Sequence, residues 1–376
     1  MGIEVSYAKG SYIYDAENKS YLDFIAGVSA CSLGHGNTYL INSINKQLKK
    51  YMHVMVYGEF ILEPSVKLTK LLSKVLPKNL NSTYLTNSGT EAIEGAIKLS
   101  RKYTGRKEII GSKNAYHGST MGALSFMSIK DRREPFGPLI SKVKFIRFNC
   151  DEDIIKITSK TAAVILETIQ GGAGFITPKN NFLKKIKARC KKVGALLILD
   201  EIQTGIGRTG KMFGFENYNC TPDIVVYGKG LGGGLPIGAF TANKKVMDTL
   251  QSNPMMGHIT TFGGNPVISA SAYATLKKIS SSNLIGDSIK KEKLIRSILI
   301  HPLIKKIRGK GLMLCLIMDN SNIANKLILN AKENGLLLFW LLINKNAVRI
   351  TPPLTISNKE IKKGCNIIIK ILNDMI

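Results

Sequence analysis

Long apolar runs are missing from this chain of 376 residues. No uninterrupted stretch reaches the ~18–20 apolar residues of a membrane span, so no transmembrane helix is expected. The first residues, Met1-Gly-Ile-Glu-Val-Ser6, carry no basic segment followed by an apolar one. That gives no secretory signal and predicts a cytoplasmic protein. Cysteine is sparse, six residues at 31, 150, 190, 220, 315 and 365, and never in Cys-x-x-Cys spacing. The scatter excludes a disulfide framework and a zinc site and predicts reduced thiols with no metal. Neither a G-x-x-x-x-G-K-[ST] phosphate loop nor a strand–G-x-G-x-x-G–helix unit is present, which removes two common routes to nucleotide binding. Acidic side chains are the scarcest relative to expectation: 26 against 53 Lys and Arg, a net charge of +27. A basic face for nucleic acid or membrane is one reading of that excess. The lysines, however, come as pairs along the whole chain, as at 49–50, 191–192, 277–278 and 362–363, with no arginine-rich tract. Solvated helix faces explain them better, and no nucleic-acid or membrane partner is expected.

What is present is a full globular composition, 44% hydrophobic and 21% charged, in a chain long enough for two or three domains. Residues 1–35 alternate like a hairpin arm. From about residue 60, short apolar runs alternate with helical periodicity: strands at 82–85, 108–111, 143–147, 162–166, 195–199, 223–227 and 237–242, with helices at 66–76 and 181–193 among those between. That alternation predicts an α/β fold, a mostly parallel sheet with helices on both faces. After Pro266 a helix at 267–279 leads into a tail with strands near 311–318 and 347–350 and helices near 321–333 and 357–372. The expected division is residues 1–40 as arm and start of a small domain, 41–266 as the large domain, and 267–376 as a smaller α+β domain. No repeat or low-complexity tract interrupts it.

Residues 195–236 organise the chain. The run Ala195-Leu-Leu-Ile-Leu199 ends in Asp200-Glu-Ile-Gln-Thr-Gly205, and the run Asp223-Ile-Val-Val-Tyr227 ends in Gly228-Lys-Gly-Leu-Gly-Gly-Gly-Leu-Pro236. Parallel sheets do chemistry at the carboxyl ends of their strands, so Asp200 and Lys229 are expected to meet in one crevice. A lysine paired with a carboxylate is what pyridoxal phosphate requires: an amine to hold its aldehyde and an anion beside its ring nitrogen. Gln203 falls within reach of the same ring. Further back, Ser88 and Glu91 have capping-box spacing, and Gly89 lets the free N–H groups of that helix start approach a phosphate.

With these residues in place, the chain resembles the class III pyridoxal-phosphate aminotransferases, nearest their acetylornithine/ornithine type. The likeness runs through Asn87-Ser-Gly-Thr-Glu-Ala92, Ala115-Tyr-His-Gly118, Asp200 to Gly210, Gly228 to Gly238, Thr260-Thr-Phe-Gly-Gly-Asn-Pro266 and Arg349-Ile-Thr-Pro-Pro-Leu354. It implies fold-type I architecture with pyridoxal 5'-phosphate as cofactor. By position it implies Lys229 as the cofactor-bearing lysine and proton carrier, Asp200 beside the ring nitrogen, and Gln203 beside the phenolic oxygen. Gly89 and Thr90 match the phosphate site, Tyr116 a ring-stacking aromatic, and Glu167 a carboxylate behind Asp200. Thr261 matches a phosphate ligand that crosses to the other subunit, so a homodimer is implied. Arg349, with Ser119 and Thr260, is assigned to the substrate.

Two positions depart from the pattern. Relatives that use 2-oxoglutarate place an arginine where this chain has Ser119, and ornithine-type relatives place a glutamate where it has Gly172. The expected reaction is transfer of a terminal amino group from an acylated diamino acid of the N-acetylornithine kind to a 2-oxo acid, in amino-acid biosynthesis of the arginine type. With Ser119 and Gly172 in place, 2-oxoglutarate is expected to be a less privileged acceptor than in ornithine-type relatives. Alternatives within the family are an ornithine or ω-amino acid:pyruvate transaminase and a glutamate-semialdehyde aminomutase. The alternative from another class is a basic, non-catalytic regulatory or nucleic-acid-binding protein on the same scaffold.

Overall fold

The computed structural model describes residues 1–376. The amino-terminal arm forms three antiparallel strands, β1 (Val5–Lys9), β2 (Tyr12–Asp15) and β3 (Ser20–Asp23). The large sheet comprises β4 (Ser82–Thr86), β5 (Glu108–Ser112), β6 (Val143–Ile146), β7 (Thr161–Glu167), β8 (Leu196–Asp200), β9 (Ile224–Gly228) and β10 (Gly238–Ala242), in the spatial order β4-β10-β9-β8-β7-β5-β6. Every pairing is parallel except the two made by β10, which is reversed.

The burial pattern follows from the strand repeat of two. Leu197, Leu199, Val225 and Tyr227 enter one core, while Leu196, Ile198, Ile224 and Val226 enter the other. Helix Gly89–Thr104 supplies Ala92, Ile93, Ala96, Ile97 and Leu99 to the second of these. Strands covered on both faces carry no polar alternation, which is why β7, β8 and β9 are buried along their whole length.

The tail folds as β11 (Ile304–Lys310), β12 (Met313–Met318), β13 (Leu336–Leu337), β14 (Phe339–Trp340) and β15 (Ala347–Ile350), with helices Ser321–Glu333 and Asn358–Asn373. Here β11, β12, β15 and β14 form one sheet, while β13 pairs in parallel with β3 of the arm. Helix Pro266–Ser280 packs against helices Thr38–Leu48 and Glu63–Val75.

Several local expectations need correction. The helix expected at 66–76 starts at Glu63, because Pro64 fits the first turn, where no backbone donor is needed. Helix Leu284–Ile298 and strand β11 have no counterpart in the sequence reading. The Ser88 capping box is half formed: Ser88 Oγ accepts the Glu91 N–H at 3.3 Å, but the Glu91 carboxylate turns to the N–H and side-chain amide of Asn87.

Candidate active site

Five strands of the large sheet end at one cavity of about 750 Å³. Beyond β4 lie Gly89 and Thr90, and beyond β5 lie Tyr116, His117 and Ser119. Glu167 and Asp200 are the last residues of β7 and β8, and Lys229 follows β9. Arg349 reaches the same cavity from β15.

At the inner end, the ring nitrogen Nδ1 of buried His117 donates to Asp200 Oδ2 over 2.7 Å, and Asp200 Oδ1 accepts the Ile202 N–H at 2.9 Å. Burial on its own would hold the His117 pKa down, but the hydrogen bond and charge of Asp200, aided by Glu167, raise it overall. Glu167 accepts N–H groups from Tyr116 at 3.2 Å and Gly171 at 3.0 Å. Burial pushes its carboxyl up to about 7, with His117 pulling the other way.

Lys229 sits in the left-handed region, φ +40°, a conformation that costs a non-glycine residue on the order of 1–3 kcal/mol and is met mostly at functional sites. Burial lowers its pKa, opposed by Asp200 and reinforced by Arg349. An amine so placed sheds its proton more readily than a surface lysine.

The N–H groups of Gly89 and Thr90 have no acceptor within the chain, and both line the cavity. The helix they open is sixteen residues long, so its dipole adds to the attraction for an anion. Arg349 is 7% exposed, its Nε and Nη1 have no partner, and its guanidinium lies 5.5 Å from the centre of the Phe175 ring. Burial without a carboxylate brings its pKa down to about 10.

Nine residues singled out from the sequence therefore share one cavity: Gly89, Thr90, Tyr116, Ser119, Glu167, Asp200, Gln203, Lys229 and Arg349. Gln203 donates to Ser29 Oγ at 3.3 Å, and the Tyr116 and Ser119 hydroxyls are 3.2 Å apart. Thr260, expected at the substrate, and Thr261, expected at a phosphate of the other subunit, lie outside this cavity. Thr260 Oγ1 accepts from Asn87 Nδ2 at 2.8 Å and lines a separate apolar cleft, while Thr261 is exposed. The sequence reading passed over His117, Ile202, Trp340 and Arg132, which also line the cavity. For His117 a signal existed: it stands between Tyr116 and Gly118 shortly after an apolar strand, where a side chain at a sheet's carboxyl end faces the crevice.

The donor set fits pyridoxal phosphate. It offers an amine of lowered pKa, a buried carboxylate fixed by two donors, and a pair of unused N–H groups for phosphate. A buried guanidinium with free donors is left for a carboxylate.

The family model for "Aminotransferase class-III" matches residues 1–372. An acetylornithine aminotransferase of Clostridium acetobutylicum is 39% identical over 372 residues, covering 96% of this chain and 93% of that protein. A "[LysW]-aminoadipate semialdehyde/glutamate semialdehyde transaminase" of Sulfolobus acidocaldarius is 36% identical over 372 residues, covering 98% and 94%. Among solved structures, the ornithine aminotransferase of Toxoplasma gondii superposes with a TM-score of 0.94 at 29% identity, covering 100% of this chain and 91% of that one.

Proposed function

The chain belongs to the class-III aminotransferases, which are pyridoxal-phosphate-dependent enzymes, and from that premise we propose that it moves the terminal amino group of an N-acetylornithine-like donor to a 2-oxo acid. The observation that carries the substrate class is Arg349, buried with two unpartnered nitrogens in the cavity that holds Lys229. A guanidinium in that state is built for a carboxylate.

When bound, the cofactor supplies an electrophilic aldehyde and a ring that accepts electrons from the carbon bearing the donor's amine. Lys229, its neutral form favoured by burial, would hold that aldehyde and carry the proton. Asp200 would pair with the ring nitrogen, its carboxylate held in place by the donors from His117 and the Ile202 N–H. Gly89 and Thr90 would hold the phosphate with their N–H groups, and Tyr116 and Ile202 would border the ring. Arg349 takes the substrate carboxylate. At position 172 a glycine offers no carboxylate to cover Arg349. A donor with an acylated α-amine is then preferred over free ornithine, whose α-ammonium would approach an uncovered guanidinium. The resemblance to the Sulfolobus acidocaldarius enzyme favours one second reading, an acylated aminoadipate or glutamate semialdehyde as the aldehyde partner.

A homodimer belongs to the same reading. Met52, Met55, Phe60, Ile61, Ile259 and Phe262 are exposed, and Phe60, Ile61, Met255, Met256 and Ile259 are among the residues lining a cleft of about 590 Å³. A second copy covering that face would bury it and bring the exposed Thr261 to the partner's phosphate. No helix of the chain is long and apolar enough to cross a membrane, and catalysis in the cytoplasm is part of the proposal.

Half-reactions followed by cofactor absorbance, with acetylornithine, ornithine, putrescine and β-alanine as donors, test the substrate assignment. Acetylornithine should give the highest kcat/KM. A clear preference for free ornithine or for β-alanine would overturn it.

A further inference from the structure

The mouth of the cavity holds an excess of positive charge. Its lining contains two carboxylates, Glu167 and Asp200, both at the inner end and both engaged by donors of the chain. The rest of the lining carries two guanidiniums, the buried Arg349 and the exposed Arg132, and no further acid. Arg132 lies on the four-residue helix Lys130–Arg133, is exposed, and donates through Nη2 to the Leu342 carbonyl at 3.3 Å. A guanidinium has five N–H donors in a planar fork, so most of this one remains free for a ligand. Ser119 on the same rim offers only a hydroxyl, already 3.2 Å from that of Tyr116.

The segment that holds Arg132 is itself hydrogen-bonded to Gly172. The Gly172 carbonyl accepts the N–H groups of Ile343 and Asn344, each at 3.1 Å. A Cβ at 172 would stand 3.2 Å from Ile343 Cδ1 and 3.6 Å from Leu342 Cβ. The first is the flexible end of a side chain and the second an ordinary contact, so the segment 342–344 packs directly on this glycine.

We propose that Arg132 is the specificity-determining residue for the amino acceptor: it binds the distal carboxylate of a dicarboxylic 2-oxo acid while Arg349 binds the carboxylate beside the oxo group. The inference rests on the transaminase reading for its substrate class, and it replaces the expectation, drawn from Ser119, that 2-oxoglutarate lacks a second cationic partner.

The test compares Arg132→Gln and Arg132→Lys with wild-type holoenzyme. In the acceptor half-reaction, the ratio of kcat/KM for 2-oxoglutarate over pyruvate should fall about tenfold or more in Arg132→Gln, the size expected for one charge-assisted hydrogen bond. It should fall less in Arg132→Lys, which keeps the charge, and Ser119→Arg added to Arg132→Gln should restore it. By calorimetry, wild type should bind glutarate more tightly than butyrate, and Arg132→Gln should lose that preference. An unchanged ratio, or an equal drop with both acceptors, overturns the proposal. If no donor and acceptor pair turns over in wild type, the transaminase reading has failed, and the glutarate preference with its loss in Arg132→Gln still decides the role of Arg132.

Discussion

At the inner end of the cavity the carboxylates are answered from within the chain: Asp200 by His117 and the Ile202 N–H, Glu167 by the N–H groups of Tyr116 and Gly171. The two guanidiniums of the lining are not: the buried Arg349 keeps two nitrogens without any partner, and Arg132 spends one donor on a carbonyl. A buried charge with its own partners is fixed in place and serves geometry. A buried charge without them is costly to the folded state, and it is tolerated where a ligand completes it. The inner end should therefore govern kcat, and the mouth should govern KM.

Lys229→Ala breaks the inner end most severely. Turnover should drop by roughly 10⁴-fold or more, since no other amine lines the cavity to carry the proton. Borohydride treatment of the wild type should fix the cofactor on the peptide that contains Lys229, and label on a different lysine would refute the assignment. Asp200→Asn should lower kcat by roughly 10²–10⁴-fold with KM little changed, because the ring nitrogen loses its anion. A variant within a few-fold of wild type would reduce Asp200 to a strand-end cap.

Arg349→Gln should act on the other side of the comparison. KM for donor and acceptor should rise roughly 10–100-fold with a smaller effect on kcat, as for loss of a charged hydrogen-bonding partner. A lysine there should rescue little, since a point charge does not reproduce the bidentate fork. If kcat falls as steeply as in Asp200→Asn, the division between inner end and mouth is not real.

Glu167→Gln has the smallest expected effect and concerns stability. A carboxyl raised to about 7 in the folded state, from 4.5, favours folding when protonated. That contribution is fully present below about pH 4.5 and is lost as the pH rises through about 7. Glutamine cannot ionise, so the decline in stability between pH 5 and pH 8 should flatten by about 1–3 kcal/mol. Glu201, raised to about 7 by the same kind of burial, still titrates in the variant and leaves part of the slope. Urea unfolding at the two pH values measures it, and an unchanged slope would mean that Glu167 does not titrate there.

Much of this was legible in the sequence, and the exceptions have physical causes. Strands β7, β8 and β9 read clearly because burial on both faces demands uninterrupted apolar runs. The tail hid β11, Ile-Lys-Lys-Ile-Arg-Gly-Lys, because an edge strand is protected by the lysines that break its pattern. Helix Leu284–Ile298 carries Gly286 inside and buries only three of its residues, Ser288, Lys291 and Ile295. In the site, Lys229 and Asp200 stood out because each ends its own apolar run. His117 did not, since its meaning comes from a carboxylate 83 positions away. Arg132 depends in the same way on a carbonyl 210 positions away. No local pattern encodes such pairs.

The reversed strand β10 has a consequence for how such a site can change. Gly238 is paired with Gly228 on one side and with Thr86 on the other, and a Cβ on it would come within 1.9 Å of the Ser88 carbonyl oxygen. One glycine thus gauges the gap between the lysine-bearing strand and the strand that opens the phosphate helix. Two interstrand spacings of about 4.8 Å set that gap near 10 Å. Hydrogen-bonded strands cannot be drawn apart without losing the ladder, and a one-residue register slip would turn every neighbouring side chain to the wrong face. The rim is freer to vary, for there Ser119, Arg132 and Gly172 sit on loops and a short helix. A scaffold of this kind can exchange one substrate for another without re-measuring its cofactor.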